Sequence, residues 1–236
     1  MSSKDVHSDP VFMGRRQAAR DRIDALTGAK GGDADDRLAW FHTVYKEANG
    51  DPAAVPWADL APKAALTEWL ANAPGTGLTA IDIGCGLGDN AEALSAAGYR
   101  TTAFDVSSDA VSWAKKRFPG SAVAYHAADL FDLPATWTAA FDLAHECYTI
   151  QALDGDLREK AVGSIASLVA PGGRLLLINR SRGEGVYADG PPWPLQPSEW
   201  RQFEHLGLEL EDETLYEIQR QDRIIPHVRA VFRKPA

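Results

Sequence analysis

Three glycines alternate with other residues in Ile81-Asp82-Ile83-Gly84-Cys85-Gly86-Leu87-Gly88-Asp89-Asn90, between an apolar run and a helical pattern. Glycine there lets the backbone turn sharply and lets a ligand approach where a Cβ would obstruct it. The next apolar run ends at Asp105. A carboxylate at the end of a second strand can accept hydrogen bonds from both hydroxyls of a ribose. The spacing is G-x-G-x-G, not the G-x-G-x-x-G of dinucleotide sites, and Asp82 and Asp89 flank it. Two carboxylates repel a phosphate, which prefers an uncrowded helix N-terminus, and suit a cationic ligand such as an ammonium or a sulfonium. S-adenosylmethionine joins ribose, ammonium and sulfonium in one molecule. The bland alternative is a tight strand–helix turn that holds nothing.

Other residue types could serve acid–base chemistry. His145, Glu146 and Tyr148 close the fourth apolar run, and Tyr187 and His205 stand in later segments. Any of them could act as a base for an oxygen or nitrogen nucleophile if it reached the proton. His145 and Tyr148 are the candidate catalytic pair. His145 lies among apolar residues and reads equally as a satisfied buried histidine, while Glu146 reads equally as a ligand contact. His126 and His227 read as strand residues, His42 as a helix residue and His7 as part of the tail. Cys85 and Cys147 are the two cysteines, too few for a disulfide scaffold and without the spacing of a zinc site. No metal is expected, and a reducing cytoplasm is.

These residues need elements to position them. Apolar runs at 78–83, 101–104, 122–126, 141–147 and 174–179 alternate with helical patterns at 89–97, 109–118 and 155–169. Such alternation predicts a parallel sheet with right-handed crossovers. Pro171-Gly172-Gly173 reads as a helix stop before the fifth strand, and 181–197 as a Gly/Pro-rich loop. A helix at 197–206 and strands at 208–219 and 222–233 finish the chain, the last two as an antiparallel hairpin. Ahead of the first strand, residues 1–12 read as loosely attached, with helices at 14–26, 34–48 and 62–73 and a breaker at Gly31-Gly32. The fold class is α/β, a Rossmann-like, seven-stranded, mostly parallel sheet with N-terminal helices. The expected division is a tail and helical lid over 1–60 and a catalytic domain over 61–236.

The chain has 236 residues and a formal charge of −9 from 24 basic and 33 acidic side chains. That balance argues against a bare nucleic-acid binder and against anionic membranes. No apolar run is long enough to span a bilayer, and residues 1–10 lack the apolar core of a signal peptide. The expected partner is a small molecule; the oligomeric state is not readable.

Residues 78–105 resemble the first two motifs of the class I S-adenosylmethionine-dependent methyltransferases, and the likeness runs on to about residue 180. It implies that Asp82 orients the methionine end, that Gly84, Gly86 and Gly88 pass beneath it and that Asp105 holds the ribose. Cys85 falls where the family often has a small Cys or Ser. Asp129 is implied to accept from the adenine amino group, with Asp132 as a competitor and Val106 and Leu130 beside the nucleoside. Glu146 and Cys147 are implied to lie under the methionine and the methyl group. No Asn-Pro-Pro-Tyr or Asp-Pro-Pro-Tyr follows the fourth strand, which weakens DNA-adenine and protein-glutamine readings.

Trp40-Phe41, Tyr45, Pro56-Trp57, Pro62 and Leu66 further resemble the front of the thiopurine, thiol and halide methyltransferase group, as does Gly-Pro-Pro-Trp-Pro-Leu at 190–195. That likeness implies Trp40 and Trp57 over the cofactor, and Tyr45, Arg180, Tyr187 and Trp193 at the acceptor. Each tryptophan reads equally as a core aromatic. Apart from Arg180 and Arg182, the sequence lacks the basic residues that would mark a pocket for a strongly anionic acceptor. The expected reaction is methyl transfer to a small acceptor, a thiol or other soft nucleophile. The alternatives are O- or N-methylation of a metabolite, a nicotinamide-dependent oxidoreductase, and a cofactor-binding protein without activity.

Overall fold

A computed structural model describes residues 6–31, 33–220 and 223–236; Gly32 of the expected breaker and Asp222, the expected first residue of the last strand, lie outside them. Seven strands form one sheet: β1 (Thr79–Ile83), β2 (Arg100–Asp105), β3 (Ala124–Ala127), β4 (Phe141–Cys147), β5 (Val169–Arg180), β6 (Glu209–Arg220) and β7 (Arg223–Arg233). Their order is β3-β2-β1-β4-β5-β7-β6. The first five run parallel, and β7 pairs antiparallel with both β5 and β6. The strand order reverses between β1 and β4, so the connections leaving those two strands diverge and open a crevice at their carboxyl ends.

Helices α4 (Asp89–Ala96), α5 (Ser108–Arg117) and α6 (Gly155–Leu168) link the parallel strands. Ser107 caps α5 by accepting from the Ala110 N–H, and Lys115, Lys116 and Arg117 complement its C-terminal dipole. The expected helix 197–206 is two short turns, α7 (Pro197–Trp200) and α8 (Gln202–His205), with Trp200 and Phe203 fully buried. One face of the sheet packs Ile81, Ile83, Leu175, Leu177 and Phe232 against α6 residues such as Val162 and Ile165. The other packs Leu143, Leu176 and Ile178 against Leu66, Leu70 and Leu94.

The N-terminal segment differs from its sequence reading. Asp9 accepts from the Val11 and Phe12 N–H groups and Pro10 occupies the first turn, so α1 runs Pro10–Ile23. The stretch expected to be loose from 6 to 12 is therefore ordered by a capping aspartate and a proline pre-set for the first turn. Helices α2 (Ala34–Ala48) and α3 (Ala64–Leu70) follow, α3 shorter than expected. Fully buried Arg37 ties this segment to the sheet. Its guanidinium donates to the carbonyls of Gly28 (2.8 Å) and Ala29 (3.2 Å) and, from two nitrogens, to Ala152 (3.0 and 2.8 Å). Burial lowers its pKa to about 10.

Leu177 is fully buried on central β5, so Leu177→Ala removes packed methyls that the surroundings cannot wholly refill. It should cost about 3 kcal/mol, read as a lower urea midpoint at unchanged denaturant slope.

Candidate active site at the strand ends

A cavity of about 610 Å³ opens above the carboxyl ends of β1, β2 and β4, within the size range of small-ligand sites. Its floor includes Gly84, Asp105, Val106, Asp129, Leu130 and Cys147. Its cover is Leu38, Trp40, Phe41 and Tyr45 from α2 with Trp57 from the following loop.

The glycine loop is held in left-handed backbone conformations, with φ of 63° at Gly84 and 90° at Gly88. A Cβ at Gly84 would stand 2.6 Å from the Thr149 hydroxyl, and one at Gly88 2.5 Å from the Tyr125 hydroxyl. Both positions therefore need glycine for conformation and for space. Asp105 fixes the loop: one carboxylate oxygen accepts from the Gly86 N–H (3.0 Å), the other from the Ser107 N–H (2.9 Å). Burial raises its pKa to about 6 against those two hydrogen bonds. Each oxygen keeps a further lone pair on the cavity side. Asp129 accepts from the Phe131 N–H (2.9 Å) and also lines the cavity, whereas Asp132 does not.

The aromatic cover is one cluster. Trp57 lies 5.7 Å from Trp40, 5.9 Å from Phe41 and 5.8 Å from Tyr45 between ring centroids. The Trp57 indole donates to the Tyr45 hydroxyl (2.7 Å), and the Trp40 indole to the Ile23 carbonyl (3.0 Å). Tyr45, expected at the acceptor, instead stands over Gly86, where its hydroxyl would meet a Cβ at 3.0 Å.

Several expected site residues lie elsewhere. His145 is fully buried beside Asp82, its partner in the β1–β4 register, and Nδ1 lies 2.6 Å from the Asp82 carboxylate. Neither reaches the cavity; His145 Nε2 and the second Asp82 oxygen are buried and unpartnered among the described residues. Register sets the two side chains against each other inside the fold, away from the cavity lining. Glu146, also fully buried, accepts from the N–H groups of Thr149 (2.7 Å) and Ile150 (3.0 Å) and from the Asn179 amide (2.5 Å). It caps the turn after β4 instead of facing a ligand. Cys85 packs with Ala91 and Val111, and burial pushes its thiol pKa up, as a packing residue would show. Asp89 is taken by a bidentate pair with Arg117 (2.6 and 2.8 Å), so it offers little charge to a ligand. Tyr187 is 86% exposed and away from the cavity. Trp193 packs near Arg37, leaving Pro191 and Pro192 on the cavity wall. Arg182 is bound to the Pro194 carbonyl and to Glu199, outside the cavity.

Tyr148 and Arg180 do line the cavity. The Tyr148 hydroxyl lies 2.7 Å from His227 Nε2, and His227 Nδ1 lies 2.7 Å from the Ile225 carbonyl. A carbonyl only accepts, so Nδ1 carries the proton and Nε2 accepts from the tyrosine. Burial, opposed by the Ile225 bond, lowers His227 to about pH 4 and raises the Tyr148 phenol. Tyr148 has φ of 68°, a costly value for an aromatic residue. Lys63 sits 4.1 Å above its ring. His227 appeared only as a strand residue in the sequence; its partner emerges from β7 pairing.

This is the Rossmann-like methyltransferase fold with a crevice suited to a nucleoside. Residues 80–173 match the family described as "Methyltransferase domain". The chain is 33% identical over 67 residues to the N-methyltransferase verN of Clonostachys rogersoniana, covering 28% of this chain and 23% of that one. It is 31% identical over 119 residues to a ubiquinone biosynthesis O-methyltransferase of Aromatoleum aromaticum, covering 48% and 50% respectively. The chain thus spans half or less of these curated relatives. A solved 1,6-didemethyltoxoflavin N1-methyltransferase of Burkholderia thailandensis, with 1,6-didemethyltoxoflavin and S-adenosylhomocysteine bound, superposes at TM-score 0.67 with 19% identity. The match covers 87% of this chain and 92% of that one. Among the described residues no helix is long and apolar enough to cross a membrane.

The buried Glu146 carboxyl yields a pH test. Burial, against its three hydrogen bonds, raises its pKa from 4.5 to about 7. The native state then keeps a proton that the unfolded chain has released, so this contribution to stability is lost as pH rises from about 4.5 to 7. In Glu146→Gln, Asn179 can turn its unpartnered amide oxygen to the new amide. Relative to the parent, the variant should gain about 1 kcal/mol per pH unit across that window, measured as urea midpoints from pH 5 to 8.

Proposed function

We propose that this chain is an S-adenosylmethionine-dependent methyltransferase acting on a small molecule. The observation that carries it is one cavity lined by Gly84, Asp105 and Asp129 together with the Tyr148–His227 pair. Its size and acids fit the cofactor: Asp105 would take the ribose hydroxyls, Asp129 the adenine amino group, and Val106 and Leu130 the base. Gly84, Gly86 and Gly88 would leave room for the methionine end, with Asp82 behind them. S-adenosylmethionine supplies an electrophilic methyl on a sulfonium. Trp40, Trp57 and Cys147 would give that end a dry, polarizable surrounding, and aromatic faces favour a nearby cation. Residues 1–60 act as a lid and 61–236 as the catalytic domain. A small acceptor in a reducing cytoplasm is the reading supported by the size of the cavity, the charge of −9 and two free cysteines.

For the acceptor, the Tyr148–His227 pair favours a hydroxyl or an amine. While it donates to His227, the Tyr148 oxygen can accept an O–H or N–H from the nucleophile, orient its lone pair and pass the proton toward Nε2. A thiol acceptor, for which the aromatic cover of Trp40, Phe41 and Trp57 speaks, would arrive as thiolate and need neither group. Tyr148→Phe should lower kcat about 100-fold for an oxygen or nitrogen acceptor and leave a thiol acceptor nearly unaffected. Product S-adenosylhomocysteine measured across phenols, amines and thiols checks this.

Cofactor binding has its own test. Ribose hydroxyls donating to Asp105 favour its ionised form, so S-adenosylhomocysteine should bind more tightly as pH rises from 5 to 7, releasing a proton near pH 6. Calorimetry in buffers of different ionisation enthalpy measures both effects. Asp105→Ala should abolish the pH dependence and weaken binding at least about tenfold; unchanged affinity in a folded variant refutes the ribose assignment.

A further inference from the structure

The wall of the cavity on the β5–β7–β6 side carries Arg20 from α1, Arg180 from the end of β5 and Arg223 from β7. Three elements distant in sequence bring three guanidiniums together. Among the described residues none of the three makes a side-chain hydrogen bond or ion pair, and Arg180 Nε is buried without a partner. They lie within electrostatic reach of one another. Arg20 loses proton affinity to burial first and to Arg223 next. Arg180 loses it to burial, with Tyr148 opposing and Arg20 and Arg223 adding to the loss. Two acids oppose three guanidiniums there: Asp59 is held by Lys63 (2.5 Å) and His7 (2.7 Å), and Asp24 lines the same cavity and favours the charged form of Arg20. Gathering like charges on a partly desolvated wall disfavours folding unless something gains from it. Guanidinium groups bind carboxylate and phosphate oxygens with two parallel N–H bonds.

We propose that Arg20, Arg180 and Arg223 bind an anionic group, a carboxylate or a phosphate, on the molecule that receives the methyl group. The inference rests on reading the cavity as a methyltransferase site. Arg180 is directly opposite His227 in the β5–β7 register, so the anion is held beside the Tyr148–His227 pair. Leu38, Phe41, Leu153, Pro191 and Pro192 line the same cavity, which suits an apolar or aromatic body. The acceptor class is thus an aromatic or apolar acid.

The test uses the full chain saturated with S-adenosylhomocysteine. A panel of aryl carboxylates and aryl phosphates, each beside its neutral amide or alcohol, is titrated by calorimetry. At least one acid should bind about tenfold more tightly than its neutral counterpart, and the carboxylate and phosphate arms identify the group. The preference should vanish in the Arg180→Gln/Arg223→Gln double variant and persist in Arg174→Gln, whose side chain is paired with Glu211 elsewhere. Neutral partners that bind as well throughout, or a preference that survives the double variant, overturn the proposal. S-adenosylhomocysteine binding by the double variant reports that it is folded; should it fail, Arg223→Gln alone, at an exposed position, decides the matter. Failure of the parent to bind S-adenosylhomocysteine would refute the methyltransferase reading itself, whereas cofactor binding without anion preference refutes only this inference.

Discussion

One buried carboxylate ties the site together. Asp105 ends β2, and its two oxygens accept backbone N–H groups from the glycine loop after β1 and from the entry to α5. The glycines of the loop, two of them left-handed and pressed against Thr149 and Tyr125, have no side chains to hold them. The carboxylate supplies that hold, at the cost of desolvation that raises its pKa to about 6. Once the loop is fixed, α4 starts in place, Leu87 packs into the cluster with Tyr45 and Ala110, and the aromatic cover rests on the loop. The same group that shapes the backbone therefore faces the space a nucleoside would fill.

The parts legible in the sequence were local. The Gly84–Gly86–Gly88 spacing, the acid at the end of β2 and the strand–helix alternation are all decided by residues a few positions apart, and the sheet formed as expected. What escaped depends on register and long-range pairing. His145 looked reactive by type, but the β1–β4 register sets it against Asp82 inside the sheet. His227 looked inert, but the antiparallel turn of β7 brings it to Tyr148. Basic residues seemed scarce because Arg20, Arg180 and Arg223 are about 160 and 43 positions apart along the chain and meet only through α1 packing and strand order. Tyr187 and Trp193 sat near the right loop, but their side chains turn outward or onto Arg37.

The cavity consequently has a polarity that the overall charge of −9 hides. Carboxylates lie at the ends of β2 and after β3, on one side of the point where strand order reverses. Guanidiniums lie on β5 and β7, on the other side. Sheet topology keeps these two sets of charge apart.

The C-terminal hairpin outruns its neighbour. Strand β5 ends at Arg180, opposite His227, with one further bond from the Ser181 N–H to the Pro226 carbonyl (2.9 Å), whereas β6 and β7 remain paired out to Arg220–Arg223. Beyond the sheet edge this is a two-stranded ribbon, which twists more freely than the sheet and shares none of its core. Ile218, Ile225 and Arg223 from the ribbon line the cavity. Substitutions on this part of the ribbon therefore reach the cavity wall without touching the hydrogen bonds of the strands that carry the crevice.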